Sequence, residues 1–360
     1  MTRRGYICII LLAAILSLVP ACTKVGVRYE PASKEIAVIP VASLASKTVP
    51  GPVDGADYPT DETFGIFAYH CNTSAGSWND PSQTVTPYIL DGEFKFREEG
   101  NVWGGWNAGD KYPYYWPTLG SLVFAGYSPY ARKDGTPVSG ASFSVENKTL
   151  SISGYQVEEY SPMTEAQMYD GSTQYENKTQ SDLMYFLPKA DVSGNYVGTN
   201  GDDAYGAIFH HALALVVFNV QAESYDDVNY IRLRGITLDG MASAGDLSVQ
   251  MSNTPAGNVE WTLSDGASFE SRSVLYNTSE SGGMKLSTTT RQVVEILTIP
   301  VGLHNIEITY SLIVNGKPHE ETMTYQTQWE AGKKYVYNLI LGTENIQLIP
   351  QITTDWATNE

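Results

Sequence analysis

A stretch near the C-terminus alternates strictly between apolar and polar positions. Its apolar members are Ile306, Ile308, Tyr310, Leu312 and Val314. Alternation with a period of two is typical of a half-buried β-strand, and the following Asn315-Gly316 is a strong two-residue hairpin signal. The pattern therefore predicts a hairpin that returns through residues 322–325, and a further strand where the alternation resumes at residues 335–341.

Shorter apolar runs also predict strands. Runs rich in aromatic and aliphatic residues occupy residues 64–69, 122–127, 183–187 and 213–220. Two more runs, 88–90 and 93–96, flank Asp91-Gly92 and predict a second hairpin. Outside the first residues of the chain, no stretch sustains the i, i+3, i+4, i+7 spacing of an amphipathic helix. We therefore expect an all-β fold.

The length of the chain suggests two domains. At 360 residues it is longer than one typical domain. Residues 160–205 are polar and rich in Gly, Asn and Asp, so we expect mostly long loops there. The boundary is placed near residue 205, with an N-terminal domain at residues 48–205 and a C-terminal domain at residues 206–342.

The first residues form an export signal. Arg3 and Arg4 precede an apolar run, residues 7–19, that has the length of a secretory signal and is too short for a comfortable membrane span. The run ends at Ala21-Cys22, which resembles the lipobox of bacterial lipoproteins. We expect residues 1–21 to be a lipoprotein signal peptide and Cys22 to carry acyl chains such as palmitate. The alternative is an ordinary signal followed by an unrelated cysteine.

Cysteine usage agrees with an exported protein that has no disulfide framework. Of the three cysteines, Cys8 leaves with the signal and Cys22 is acylated, so Cys71 has no intramolecular partner. His70 could act as a base for a nucleophilic Cys71. Neighbours on a strand point to opposite faces, however, and we expect Cys71 to be a buried structural thiol.

Both ends of the mature chain carry an apolar segment. In the segment 22–47, residues 36–41 form the apolar burst, and Pro40 restricts it to an edge or a short strand because proline cannot donate to a ladder. At the other end, residues 343–360 carry an apolar stripe: Ile346, Leu348, Pro350, Ile352 and Trp356. Such a stripe needs a sheet edge or a groove, either on its own domain or, by β-augmentation, on a neighbouring molecule.

Composition narrows the classes of function. The chain has 22 Lys and Arg against 40 Asp and Glu, a net charge of -18. Removing residues 1–21, which contain two Arg and no acid, changes the net charge to -20. Such a balance excludes nucleic acid as a partner and a basic face for anionic lipid, because both need clustered Lys and Arg. The 24 Tyr, 10 Phe and 7 Trp are typical of an extracytoplasmic β-protein.

Catalytic and metal motifs were weighed and rejected. The chain contains no Gly-x-Ser-x-Gly, His-Glu-x-x-His or phosphate-loop motif. His210-His211 is expected to lie on a strand with its side chains splayed to opposite faces. Four residues fall at calcium-loop positions, Asp191, Ser193, Asn195 and Asp202, but Tyr196 replaces the required glycine. We therefore expect no enzyme activity, cofactor or metal.

An aromatic cluster supports a second hypothesis. It consists of Trp103, Trp106, Tyr112, Tyr114, Tyr115 and Trp116. Because aromatic faces stack on sugars, the alternative function is that of a monomeric, glycan-binding outer-membrane surface lipoprotein. The other interpretation, which we favour, is that these rings pack within the first domain, since Pro113 and Pro117 stiffen the segment.

The order of several short motifs resembles a known family. After the lipobox come Ser46-Lys47-Thr48, Tyr58-Pro59-Thr60, the run 64–69, Tyr115-Trp116-Pro117, the run 122–129, Gln180-Ser181-Asp182-Leu183-Met184-Tyr185, the run 209–218, the run 329–339 and Asp355-Trp356. This arrangement resembles the fimbrillin family, the subunits of type V pili of anaerobic Gram-negative bacteria. The resemblance spans nearly the whole chain and rests on order and spacing.

The resemblance implies two transthyretin-like β-sandwiches and export as an outer-membrane lipoprotein. A trypsin-like maturation protease would cut after the first strand, here after Lys47, where the family typically has Arg, and remove lipid and strand together. A C-terminal donor strand from another copy or a related pilus subunit, here residues 346–356, would fill the emptied groove. The expected product is a head-to-tail fimbria on the cell surface with a structural or adhesive role.

Overall fold

The computed structural model describes most of the chain. The described residues are 35–42, 58–71, 78, 80, 83–107, 109–117, 120–170, 173–188, 205–224, 229–276, 283–342 and 346–353. Cys22, Lys47 and Trp356 lie outside them, as do the four calcium-loop positions. The structure therefore bears on the two apolar terminal segments but not on the lipidation and cleavage positions.

The described residues are almost entirely in strands. The first ten are β1 (Ala37–Ala42), β2 (Phe64–Cys71), β3 (Val85–Arg97), β4 (Val102–Asn107), β5 (Asp110–Lys111), β6 (Ser121–Ser128), β7 (Ala141–Ser144), β8 (Thr149–Tyr155), β9 (Met184–Phe186) and β10 (Tyr205–His211). The others are β11 (Ala214–Ala222), β12 (Tyr230–Ala242), β13 (Gly245–Gln250), β14 (Asn258–Leu263), β15 (Phe269–Tyr276), β16 (Met284–Lys285), β17 (Arg291–Thr298), β18 (His304–Val314), β19 (Lys317–Thr327), β20 (Lys334–Leu341) and β21 (Ile346–Thr353). The all-β prediction is confirmed.

The N-terminal part is built on a sheet that closes on itself. The strands run in the order β1-β10-β9-β6-β2-β3-β4-β5, and β1 also pairs with β4. Seven strands, β1 to β4, β6, β9 and β10, thus form a ring, which we call the closed sheet. Its core is aromatic and aliphatic, and its most buried members include Ile36, Val38, Phe64, Phe94, Trp116 and Phe209.

The C-terminal part is a sandwich of two sheets. One sheet has the order β17-β11-β20-β21 and the other β15-β12-β18-β19. Val216 and Phe218 of β11 face Ile306 and Ile308 of β18 within one buried cluster. The alternate residues of β11, such as Leu215, enter a different cluster on the outer side. Period-two alternation thus gives β11 two buried faces, which explains why its sequence is apolar throughout.

A third sheet joins the two parts. It has the order β14-β13-β8-β7, so it contains strands from both sides of residue 205. Its apolar face packs with the outer faces of the closed sheet and the sandwich around one shared core, which includes Phe67, Leu150, Leu247 and Val217. The domain boundary near residue 205 stays a prediction, and β10, just beyond it, lies in the closed sheet.

The Asp91-Gly92 hairpin prediction is wrong. These residues lie inside the single long strand β3, and both halves of β3 pair with β2. Asp91 adopts a positive φ of 54°, and the register between β2 and β3 shifts at this point. The left-handed residue therefore makes a bulge rather than a turn. The hydroxyl of Tyr127 donates to the carboxylate of Asp91 at 2.7 Å and holds the bulge in place.

The other predicted strands are confirmed, including the hairpin at Asn315-Gly316, where Val314 pairs with Lys317.

Within residues 160–205, the described residues are mostly without regular structure, as expected. They also contain a short helix, α1 (Glu165–Tyr169), which the periodicity did not predict. The sequence feature that could have predicted this helix is the capping box formed by Thr164 and Gln167 at its N-terminus. No helix among the described residues is long and apolar enough to cross a membrane.

Candidate functional site

β1 completes the closed sheet by filling the gap between two strands. It runs parallel to β10, from Val38 opposite Tyr205 to Ala42 opposite Phe209. On its other side it runs antiparallel to β4 over two residues, with Ala37 opposite Gly104 and Val38 opposite Trp103. Without β1, both β4 and β10 would expose an unpaired edge.

The inward side chains of β1, and that of Ile36 directly before it, are part of the core. Ile36 and Val38 are 0% exposed and Pro40 is buried, whereas Ile39 faces outward and is 45% exposed. The N–H of Ile36 donates to the carbonyl of Tyr114 at 2.7 Å, which directs this N–H, and by alternation the nitrogen of residue 40, toward the β4 side. Pro40 lies where the pairing with β4 has ended, so its missing N–H leaves no bond unmade. The prediction of a short strand is confirmed.

A cluster of charges lies at the start of β1. The Glu35 carboxylate pairs closely with the Arg97 guanidinium and is 3.2 Å from the Lys111 ammonium. Arg97 also donates to the carbonyl of Gly105 at 2.8 Å. Gly104 makes room for this arrangement, since a Cβ there would lie 2.2 Å from the guanidinium carbon. Sequence reasoning missed this cluster, because only the acid directly before the apolar run is visible locally.

The chain re-enters the same core at Tyr58. Its ring stacks on Phe209 at 5.3 Å and meets the edge of Trp103 at 5.6 Å. Its hydroxyl is 2.6 Å from the hydroxyl of Ser128, and burial raises the pKa of Tyr58 well above its ordinary value. Residues 43–57, with the expected cleavage position Lys47, connect this anchor to β1.

The C-terminal strand β21 lies at a sheet edge. It runs antiparallel to β20, from Leu341 opposite Ile346 to Lys334 opposite Thr353. Leu348 is half-buried against the sandwich core, whereas Ile349 is 43% exposed. Gln347, Pro350 and Gln351 are exposed as well. The backbones of Ile346 and Ile352 belong to the strand. The tail therefore pairs with its own domain in this structure, which was one of the two alternatives.

The aromatic cluster divides between core and surface. Trp103 and Trp116 are buried in the closed sheet, where Trp103 packs on Phe96 at 4.8 Å and Trp116 on Phe124 at 5.7 Å. Tyr114 and Tyr115 are half-buried. Tyr112 is 49% exposed, and half-buried Trp106 lies under the Lys95 ammonium at 5.2 Å. Buried rings are not available to stack on a sugar, which leaves exposed Tyr112 and the half-buried rings of Trp106, Tyr114 and Tyr115.

The titratable groups weighed for catalysis have structural partners. His210 and His211 point to opposite sides of β10, and the Nδ1 of buried His211 is 2.8 Å from the Asp182 carboxylate. Cys71 is buried, and desolvation raises the pKa of its thiol. Among the described residues, no group of three or more His, Cys, Asp or Glu is placed to hold a metal.

The chain belongs to the fimbrillin-like family, whose sequence profile matches residues 53–356. Members are fimbrial and cell-surface proteins, and the family is not typically enzymatic. No curated protein matches the sequence.

The chain is also similar to solved structures, two of which come from Bacteroides. A fimbrial protein of Bacteroides vulgatus has a TM-score of 0.49 at 16% identity, and the match covers 89% of this chain and 99% of that one. A candidate cell adhesion protein of Bacteroides ovatus has a TM-score of 0.47 at 14% identity, covering 91% and 99%.

Proposed function

We propose that this protein is a structural or adhesive subunit of a cell-surface fimbria and that it polymerises by protease-triggered donor-strand exchange. The precursor would be held at the outer membrane by lipid on Cys22. A maturation protease would cut after Lys47 and free β1. The C-terminal strand of another copy, or of a related pilus subunit, would then take the place of β1. The observation that carries this proposal is the position of β1, which fills a gap in an otherwise continuous closed sheet.

The energetics favour keeping the gap filled. Burying the side chains of Ile36 and Val38 stabilises the fold by about 1.5–3 kcal/mol each. Removing β1 would open the core that contains Trp103, Tyr205 and Phe209 and would leave two strand edges unpaired. An open apolar edge is an aggregation hazard, so the precursor needs a cap until assembly. A covalently attached strand that can be cut free is such a cap.

The C-terminal strand has the properties that a replacement needs. It carries an alternating apolar stripe, and it lies at an edge where Gln347, Ile349, Pro350 and Gln351 are exposed. Transfer into the groove of another copy would add burial to Leu348 and Pro350 while restoring the ladder of β10. Because such a contact joins the tail of one subunit to the groove of the next, it does not close on itself and generates a filament.

Controlled cleavage tests the proposal. The purified full chain with Cys22→Ser, which avoids lipid, is treated with trypsin. We expect a new N-terminus at Thr48 and a ladder of multimers that survives SDS. The Lys47→Gln chain should keep β1 attached to the rest of the protein and remain monomeric under the same treatment. A monomer that persists after verified cleavage at Lys47 would contradict the proposal.

Deletion of the tail separates the two halves of the mechanism. A chain that lacks residues 343–360 keeps β1 and its core contacts. It should fold, be cut at Lys47, and yet form no multimers. Its circular dichroism should match that of the full chain, because the deleted strand adds little to the core. Multimers from this chain would show that another segment makes the contact.

Glycan binding stays the alternative function. The aromatic rings that could serve it include those of exposed Tyr112 and half-buried Trp106. Loss of soluble-glycan binding by the uncut monomer on Trp106→Ala would favour that alternative. A fimbrial subunit should assemble equally well with this substitution, because neither ring contacts the core beneath β1.

A further inference from the structure

The two terminal segments share a pattern of aliphatic residues and proline at four of seven positions. From Ile36 the chain reads Ile-Ala-Val-Ile-Pro-Val-Ala, and from Ile346 it reads Ile-Gln-Leu-Ile-Pro-Gln-Ile. Aliphatic residues occupy the first, third and fourth positions of both, and proline occupies the fifth. When either segment pairs with a β-sheet, it therefore presents aliphatic side chains and proline in the same order along the chain.

The shared pattern also places corresponding side chains of β1 and β21 on corresponding faces of the two strands. In β1, Val38 and Pro40 point into the core, and Ile39 points outward with 45% of its surface exposed. In β21, Leu348 faces the sandwich core, and Ile349 points away from it with 43% exposed. Since side chains alternate across a strand, the face that β21 now turns to its own domain is the face that the groove requires.

We infer that the tail of a second copy enters the groove in the register of β1 and runs parallel to β10. Ile346 then takes the place of Ile36, Leu348 that of Val38, and Pro350 that of Pro40. This inference rests on the proposed strand exchange and adds to it a register, a direction and an occupant. The occupant is another copy of this same chain, because its own tail carries the pattern that its own groove selects.

Slipped registers each place the wrong group in the groove. A slip by one residue turns every apolar side chain to the opposite face. A slip by two in one direction puts Pro350 at position 38, where β1 pairs with Trp103 of β4 and proline would remove a donor from that side. A slip by two in the other direction puts Glu344 at position 36, where the side chain is fully buried. The unslipped register avoids all three costs.

Gly206 offers a site for testing the register. It lies opposite Ile39 on β10, its surface is exposed, and a Cβ built on it meets nothing within 4 Å. In the inferred register, Ile349 of the incoming strand occupies the position opposite Gly206. Facing cysteines on adjacent strands have the separation that a disulfide needs.

The experiment pairs Gly206→Cys with one tail cysteine at a time. The full chain carries Cys8→Ser, Cys22→Ser and Cys71→Ser, is cut with trypsin, and is oxidised before non-reducing gel electrophoresis. With Ile349→Cys we expect a covalent ladder of multimers that dithiothreitol dissolves after boiling. With Gln347→Cys or Gln351→Cys, which lie on the same face two residues away, we expect that cross-link to be lost. Gly206→Cys with Ile39→Cys, oxidised before the cut, is the geometric control: it should form an intrachain disulfide, keep β1 in place and prevent multimers.

The outcomes separate the register from the exchange itself. Multimers that cross-link through residue 347 or 351 instead of 349 would overturn the register and leave the exchange standing. Multimers that cross-link through none of the three positions would do the same. If the chain without tail and groove cysteines forms no multimers after the cut, the proposed function fails and the register fails with it.

Discussion

The two terminal strands are alike in sequence and opposite in environment. β1 is paired on both sides, and its inward residue Val38 is completely buried, as is Ile36 directly before the strand. β21 is paired on one side, at the edge of the sandwich, and Ile349 is 43% exposed. The same pattern of aliphatic residues and proline thus serves as core in one place and as surface in the other.

The comparison teaches that position in the sheet, rather than composition, decides what a strand contributes to stability. A strand between two neighbours buries its apolar face and satisfies both edges, whereas an edge strand leaves one row of backbone groups to water. The free energy of unfolding should therefore depend strongly on β1 and weakly on β21. A weakly held strand is also the one that can leave its own domain with little loss of stability.

The largest expected effect comes from a charge on each strand. Val38→Asp places a carboxylate in the closed-sheet core and should lower the free energy of unfolding by more than about 4 kcal/mol. Ile349→Asp places the same group on a surface strand and should change it by less than about 1 kcal/mol. Guanidinium unfolding of the uncut chain measures both. Similar unfolding midpoints for the two variants would contradict the prediction that β1 contributes more to stability than β21.

Truncation of apolar side chains should give the next largest difference. Ile36→Ala leaves a cavity under β1 and should cost about 2–5 kcal/mol. Leu348→Ala removes a half-buried side chain at a sheet edge and should cost about 1 kcal/mol or less. Thermal melting with a van't Hoff analysis compares the two. A loss at Leu348 as large as that at Ile36 would mean that β21 belongs to the core of the sandwich.

Strict alternation predicts the sandwich strands well, because their periodicity is set by one buried and one exposed face. β18 and β20 follow this pattern, and Asn315-Gly316 forms the expected turn. Asp91-Gly92 carries the same local preference for positive φ and yet forms a bulge. The difference is that both halves of β3 pair with β2, a long-range property that no local dipeptide contains.

The closure of the sheet by β1, the central feature of the candidate site, also depends on contacts between residues far apart in the chain. The sequence predicts a short apolar strand at residues 36–41, but not that it joins β4 to β10. That closure depends on pairing between Val38 and Tyr205, which lie far apart in the chain. The partners of Glu35 are hidden from the sequence for the same reason. Local pattern thus predicts which segments are strands, and the folded chain decides which of them seals a core.

Acid should weaken the sandwich that carries β21. His304 is fully buried and stacks on Trp329 at 4.1 Å, and desolvation lowers its pKa from 6.5 to about 4. The unfolded chain therefore binds this proton more readily than the folded one. The stabilisation is complete above pH 6.5 and is lost as the pH falls toward 4, by at most about 3 kcal/mol.

Substitution at two histidines checks this assignment. His304→Phe keeps a ring on Trp329 and removes the proton, so it should flatten the dependence of unfolding free energy on pH between 4 and 6.5. The comparison variant is His319→Gln, which replaces an exposed histidine on β19. An unaltered slope in His304→Phe would assign the acid sensitivity elsewhere.

A buried acid beside the closed sheet makes stability depend on pH in the opposite direction. Burial raises the pKa of Glu62, and its ion pair with Lys133 offsets only part of the rise. The folded chain therefore takes up this proton more readily than the unfolded one, so acidification relieves a cost at this position. Mild acid should thus weaken the sandwich while sparing the closed sheet, which hydrogen exchange of β20 and β2 amides would resolve.

The smallest expected effect concerns the position directly before each terminal pattern, where the two segments differ in charge. Glu35 precedes β1 and pairs with Arg97 and Lys111, whereas Asn345 precedes β21 at the equivalent position. Because the Lys111 side chain is half-exposed, the pairs should stabilise β1 by no more than about 1 kcal/mol. Glu35→Asn makes the start of β1 resemble the tail and should lower stability by that amount at low salt and by less at high salt.

The same substitution bears on strand exchange. With the charge removed, β1 loses its advantage over an incoming tail, so multimers should form up to about fivefold faster after cleavage at Lys47. Lys95→Gln is the matched control, because Lys95 pairs with Glu93 within β3 and does not touch β1. Equal rates of multimer formation in the Glu35→Asn chain and the unaltered chain would show that the ion pairs do not hold β1. The difference between the two terminal strands would then lie entirely in their burial.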